Sequence, residues 1–106
     1  MSFTLATWNI NSVRLREPIV LKLLEEEAPD VLCLQECKSP VDKIPTEGFA
    51  ALGYTHMVAR GQKGYNGVAI LSKIPMVETA SEDFASLGHA RHIAGQLENG
   101  VTIHNF

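Results

Sequence analysis

Short apolar runs alternate with turn-forming segments along the chain. Phe3 to Trp8 predicts a first strand, closed by the turn Asn9-Ile10-Asn11-Ser12. Glu17-Pro18 opens a helix, because proline suits the first helical position, where its missing N–H costs nothing. Ile19, Val20, Leu23 and Leu24 form an apolar stripe at helical spacing. Glu25-Glu26-Glu27 fall on the last turn, an unfavourable place for acid in the helix dipole, and Ala28-Pro29-Asp30 stops the helix. Val31 to Gln35 predicts a second strand, apolar on both faces. Strand, helix, strand at this spacing predicts a βαβ unit with a parallel, buried pair.

Ser39 to Gly48 reads as a polar loop with two prolines, and Tyr54 to Ala59 as a third strand. Arg60 to Gly67 is a loop with three glycines, and Val68 to Ser72 is a fourth strand closed by Lys73-Ile74-Pro75. Residues 78–90 predict irregular structure. Ile93 to Leu97 and Val101 to Phe106 flank Glu98-Asn99-Gly100, and Asn-Gly between apolar runs predicts a hairpin. The chain stops inside a predicted strand, and a βαβ start followed by several strands needs further helices to cover its second face. Residues 1–106 are therefore expected to be the N-terminal portion of a single α/β domain, truncated at its C-terminus.

Composition narrows the function. The 106 residues are 45% hydrophobic and 20% charged, which fits a globular fold rather than a disordered chain. Net charge is −3, and residues 1–50 hold the excess acid, eight Asp/Glu against five Lys/Arg. A strongly basic nucleic-acid footprint is absent, so contact with a polyanion must be local or helped by a cation. Cys33 and Cys37 are the only cysteines. Strand alternation puts both on one face, and two cysteines without a secretory leader predict buried thiols rather than a disulfide framework. No apolar run approaches the roughly 20 residues of a membrane span, and a cytoplasmic location is the default.

Gln35-Glu36-Cys37-Lys38 ends the second predicted strand, where open α/β sheets place ligands. One carboxylate suffices for Mg²⁺, which takes water and substrate phosphate for its other positions. The alternative is a solvated glutamate after a strand. Asn9 and Asn11 can orient a metal ligand or bond a phosphate oxygen, or they simply make the turn. The loop 60–67 offers Arg60, Lys63, Tyr65 and Asn66 to phosphate or sugar, or it is a long hairpin connection; it matches no established phosphate-loop pattern. His89 and His92 have ligand-like spacing but no nearby partners, and read as surface or turn histidines. Arg91 between them can clamp phosphate.

Three segments together carry a resemblance. Thr7-Trp8-Asn9-Ile10-Asn11-Ser12-Val13-Arg14, Pro29-Asp30-Val31-Leu32-Cys33-Leu34-Gln35-Glu36-Cys37-Lys38 and Gly64-Tyr65-Asn66-Gly67-Val68-Ala69-Ile70-Leu71-Ser72 resemble the exodeoxyribonuclease III family. That family is the bacterial abasic-site endonuclease branch of the endonuclease–exonuclease–phosphatase superfamily. The resemblance runs over essentially the whole chain. It implies a four-layer αββα sandwich, of which this is the N-terminal part. It implies Mg²⁺-dependent hydrolysis of a DNA phosphodiester, 5′ to an abasic site or from a 3′ end, with Mn²⁺ as a substitute. Double-stranded DNA is the implied partner, with no membrane and a monomeric complete protein.

By the resemblance, Glu36 holds the metal, and Asn9 beside it helps to order metal and carboxylate. Asn11, Lys38, Tyr65, Asn66 and Arg91 are implied to meet DNA. The family's later tyrosine, its Gly-Asp-x-Asn segment, a further aspartate and an Asp-His pair are not found in these residues. The fragment alone is therefore expected to be inactive. A phosphatase of inositol phosphates, a sphingomyelinase or a non-catalytic remnant are the alternatives.

Overall fold

The computed structural model describes residues 3–61, 66–80 and 92–106. A four-stranded sheet is built from β1 (Leu5–Asn9), β2 (Val31–Gln35), β3 (His56–Arg60) and β4 (Val68–Ser72), in the order β1-β2-β4-β3. β1 and β2 are parallel, with Asn9 opposite Gln35, and α1 (Glu17–Glu26) is the crossover between them. β2–β4 and β3–β4 are antiparallel. The glycine-containing loop is thus the hairpin connection between β3 and β4.

The central strands β2 and β4 are apolar on both faces because both faces are covered. Leu32, Leu34, Ala69 and Leu71 meet the helices, together with Val20, Leu24 and Phe49. Val31, Cys33, Val68 and Ile70 face a second sheet, whose Ile93, Leu97 and Ile103 complete an apolar core. That second sheet is wholly antiparallel, β5 (Met76–Ala80), β6 (Ile93–Leu97) and β7 (Thr102–Asn105) in sequence order. Helix layer, sheet and sheet are thus stacked in an α/β arrangement, the two sheets packed face to face. No helix among the described residues is long and apolar enough to cross a membrane.

Several expectations need correction. Ile19 does not belong to the buried stripe: it is 51% exposed, while Val20 and Leu24 are buried. The polar loop after β2 contains a short 3-10 turn, Val41–Lys43, and leads into α2 (Glu47–Ala51), which buries Phe49. Of residues 78–90, expected to be irregular, 78–80 belong to β5, which pairs with β6 despite a register shift between Glu78 and Ala80, and 81–90 lie outside the described residues. The hairpin after β6 stands: Leu97 N–H donates to Val101 O, and Gly100 has φ +91. That left-handed angle is the one glycine adopts without strain.

Cys33 and Cys37 do not share a face. Cys33 lies in the core between the sheets, Cys37 in the core beneath the helices. Alternation fails because the strand ends at Gln35 and Glu36 turns the backbone left-handed at φ +52. Both thiols are free and buried, and burial pushes Cys33 up to about 11 and Cys37 up to about 12.

Candidate functional site

The parallel pairing of β1 and β2 brings two chain segments to one end of the first sheet. Past the last ladder pair the two loops remain laced together. Ile10 N–H donates to Gln35 O at 2.9 Å, Ser12 N–H to Glu36 O at 2.9 Å and Val13 N–H to Cys37 O at 3.0 Å. The segment preceding β4 joins from the other side. Cys37 N–H donates to Gly67 O at 3.0 Å and Lys38 N–H to Asn66 O at 2.7 Å. Three strand ends therefore share one hydrogen-bonded platform.

The backbone of that platform is unusual. Asn11, Ser12, Glu36, Lys38 and Asn66 all have positive φ, and none is a glycine. A left-handed L-residue costs about 1–2 kcal/mol, which asparagine tolerates best. Such a concentration persists only where surrounding bonds over-determine it, and it is common where chemistry is done.

Side chains use the platform in two pairs. Asn9 Nδ2 donates to Glu36 Oε2. Lys38 Nζ donates to Asn11 Oδ1 at 2.5 Å. Among the described residues the Asn9 amide is the only partner of the Glu36 carboxylate, so its other oxygen takes no hydrogen bond. Nor do the described residues gather three or more His, Cys, Asp or Glu around one point. That donor set does not make a zinc or calcium cage. It fits a hard cation that draws most of its ligands from water and a substrate phosphate. Asn9 turns its Nδ2 to the carboxylate, which leaves its Oδ1 as an acceptor.

The structure thus brings Asn9, Asn11, Glu36, Lys38 and Asn66 together. Tyr65 and Arg91 lie outside the described residues, as do Lys63 and His89. His92 is not a surface histidine. It is 3% exposed, its Nε2 lies 3.1 Å from His104 Nδ1, and its ring stacks on those of His104 and Phe106. The pairing of β6 with β7 sets this contact, on the second sheet.

Sequence reasoning missed a set of amides beneath the platform. Gln35 Nε2 donates to Thr7 Oγ1 at 2.9 Å and to Asn105 Oδ1 at 2.7 Å. Asn105 Nδ2 donates to Leu34 O at 2.9 Å and to Ala69 O at 2.8 Å. Asn105 is 2% exposed. The signal was present: Asn105 lies two residues from the buried Ile103 on the same face of β7, an inward position where an apolar residue is the norm.

The family model described as Endonuclease/Exonuclease/phosphatase family matches residues 6–106. The chain is 42% identical over 67 residues to exodeoxyribonuclease III of Haemophilus influenzae, covering 63% of this chain and 25% of that protein. Among solved structures, an AP endonuclease from Archaeoglobus fulgidus superposes with a TM-score of 0.86 at 34% identity, over 99% of this chain and 41% of that one. A 3′ phosphatase, NExo, from Neisseria, bound to a product DNA hairpin, gives 0.84 at 36% identity, over 97% and 40%. The chain thus spans about a quarter of the curated relative and two-fifths of the solved ones.

Proposed function

The chain belongs to the endonuclease/exonuclease/phosphatase family, and we propose that it forms the metal-side part of a Mg²⁺-dependent DNA phosphodiester hydrolase acting in repair. The observation that carries this reading is the Asn9–Glu36 pair on a strained platform at the ends of β1 and β2. The relatives' names support DNA as the substrate, whether cut beside an abasic site or from a 3′ end. They favour it over the inositol-phosphatase and sphingomyelinase branches. The greater lengths of those relatives support reading residues 1–106 as a portion of one domain.

Each residue has a chemical task. Glu36 holds the cation through its carboxylate, and Asn9 fixes the orientation of that carboxylate. A bound divalent cation supplies charge stabilisation at the phosphoryl oxygens. Lys38, held by Asn11, adds a positive charge at the rim, where a DNA phosphate can meet it. Asn66 accepts from the Lys38 amide through its carbonyl and so belongs to the same platform. Tyr65 and Arg91 are proposed to extend the DNA contact. Among the described residues at the platform Glu36 is the only carboxylate, and no candidate base for water stands beside it. The 106 residues alone are therefore proposed to be inactive.

Glu36→Gln tests the reading, since it keeps the shape and removes the charge that attracts a hard cation. In the whole protein, cleavage of an abasic-site duplex should fall by at least roughly a hundredfold, a metal-held transition-state interaction being worth several kcal/mol. An unchanged rate with unchanged Mg²⁺ dependence would rule out the assignment.

A further inference from the structure

The core between the two sheets is built on apolar side chains such as Val31, Val68, Ile70 and Ile93. Asn105, from β7, crosses it and meets the first sheet at three points. Its two amide hydrogens go to the carbonyls of Leu34 on β2 and Ala69 on β4, and its oxygen takes a hydrogen from Gln35. The other amide hydrogen of Gln35 goes to Thr7 on β1. One bridge of two amides and a hydroxyl thus ties four strands, β1, β2, β4 and β7. Both donors of each amide are used, so the bridge is satisfied rather than makeshift.

Its position is what gives it meaning. Gln35 is the last residue of β2, and Glu36 follows directly in the left-handed region. The Gln35 carbonyl already accepts from Ile10 N–H. With its side chain held on both sides, Gln35 has little freedom left, and neither has the backbone from which Glu36 departs. Thr7, at the other end of the bridge, lies two residues before Asn9 on the same face of β1. The bridge therefore sets both members of the Asn9–Glu36 pair relative to each other. Apolar packing could hold the sheets together, but it is non-directional and would allow the strand ends to shift. Hydrogen bonds with fixed donors and acceptors do not.

We propose that Gln35 and Asn105 are positioning residues, an amide bridge that couples the second sheet to the metal-holding carboxylate. The proposal rests on the reading of Glu36 as the metal-holding residue. It goes further in making the second sheet part of the metal site without contributing a ligand.

The test is Mn²⁺ affinity, read from the loss of the free-ion EPR signal, with a thermal melt of each variant, in the whole protein. Gln35→Met and Asn105→Leu keep volume and remove the bridge. Each should weaken Mn²⁺ binding by roughly tenfold, the usual effect of removing a group that orients a metal ligand. Thr7→Val should give a smaller loss, and Thr7→Ser, which keeps the hydroxyl, should bind as the parent does. Lower melting temperatures with unchanged affinity would overturn the proposal and leave the bridge a purely structural tie. Should Asn105→Leu fail to fold, Gln35→Met and Thr7→Val decide by the same readings. Glu36→Gln separates the two ideas. If it abolishes binding while the bridge variants bind normally, only the positioning role falls. If it too binds normally, the metal-site reading falls and takes the bridge with it.

Discussion

Gly67→Ala should loosen the platform more than its size suggests. Gly67 has φ +95, an angle that costs an L-residue about 1–2 kcal/mol. A Cβ placed there would lie 3.3 Å from Lys38 N and 3.4 Å from Cys37 Cβ. The nearer neighbour is backbone, which cannot rotate away, so the two segments must separate by a few tenths of an ångström. That separation falls on two hydrogen bonds, Cys37 N–H to Gly67 O and Lys38 N–H to Asn66 O, at 3.0 and 2.7 Å. Weakening one of them adds up to about 1 kcal/mol. The total is a loss of about 2 kcal/mol. Urea unfolding of the whole protein, with the slope unchanged, measures it as a lower midpoint. The same variant should bind Mn²⁺ more weakly, because Glu36 stands between the strand end and the displaced segment. A stability change under about 0.5 kcal/mol, within the range of ordinary surface substitutions, would refute the reasoning.

Two more outcomes follow from the backbone and the thiols. Ala28 follows the last residue of the α1 cap at φ +44, where glycine is the common choice. Ala28→Gly should raise stability by roughly 0.5–1 kcal/mol, the relief of left-handed strain less the added entropy of the unfolded chain; a fall in the urea midpoint would count against it. Burial raises Cys33 to about 11 and Cys37 to about 12 from an ordinary 9.0, so neither affects stability below pH 9. Above it the unfolded chain ionises first, and each thiol removes about 1.4 kcal/mol per pH unit until its folded value is reached. Cys33→Ala with Cys37→Ala should flatten the decline in melting temperature between pH 9 and 11, whatever their cost at pH 7; an undiminished slope would contradict the assignment.

Much of the fold was legible because its central strands carry unambiguous patterns. β2, β4 and β6 begin and end where the apolar runs do, since both faces of the first two are buried and a strong turn follows the third. What resisted reading lies at the periphery. β5 has Val77 64% exposed and a register shift, so neither alternation nor an apolar run marks it. α2 has five residues, one of them Gly48, too few turns for a helical period to show. Ile19 satisfies the helical period, yet it sits at the margin of the stripe. There it joins Ala6, Thr7, Trp8 and Leu23 around an open groove beside β1 instead of entering the core.

The site was legible only in part, for a physical reason. Glu36 and Lys38 stand out because polar residues just past a buried strand have no packing role to explain them, and Asn9 because it ends the strand run of β1. Their relation to one another could not be read, because it depends on the parallel register that places Asn9 beside Gln35. It depends equally on left-handed turns at residues whose types do not demand them. A glutamate and a lysine at φ near +52 are chosen by neither local propensity nor turn chemistry. The surrounding bonds impose those angles: the β1 loop amides on Glu36 O and Cys37 O, the Asn66 and Gly67 carbonyls on the amides of Lys38 and Cys37. Asn105 was hidden for the converse reason. It lies in the opposite sheet, 69 residues from Glu36 in sequence, and only the packing of the sheets reveals that its inward amide faces the end of β2. The strained carboxylate and the buried amide are thus complementary departures from local preference. On the proposed reading the first places charge where a cation can use it, and the second supplies directional bonds that keep it there.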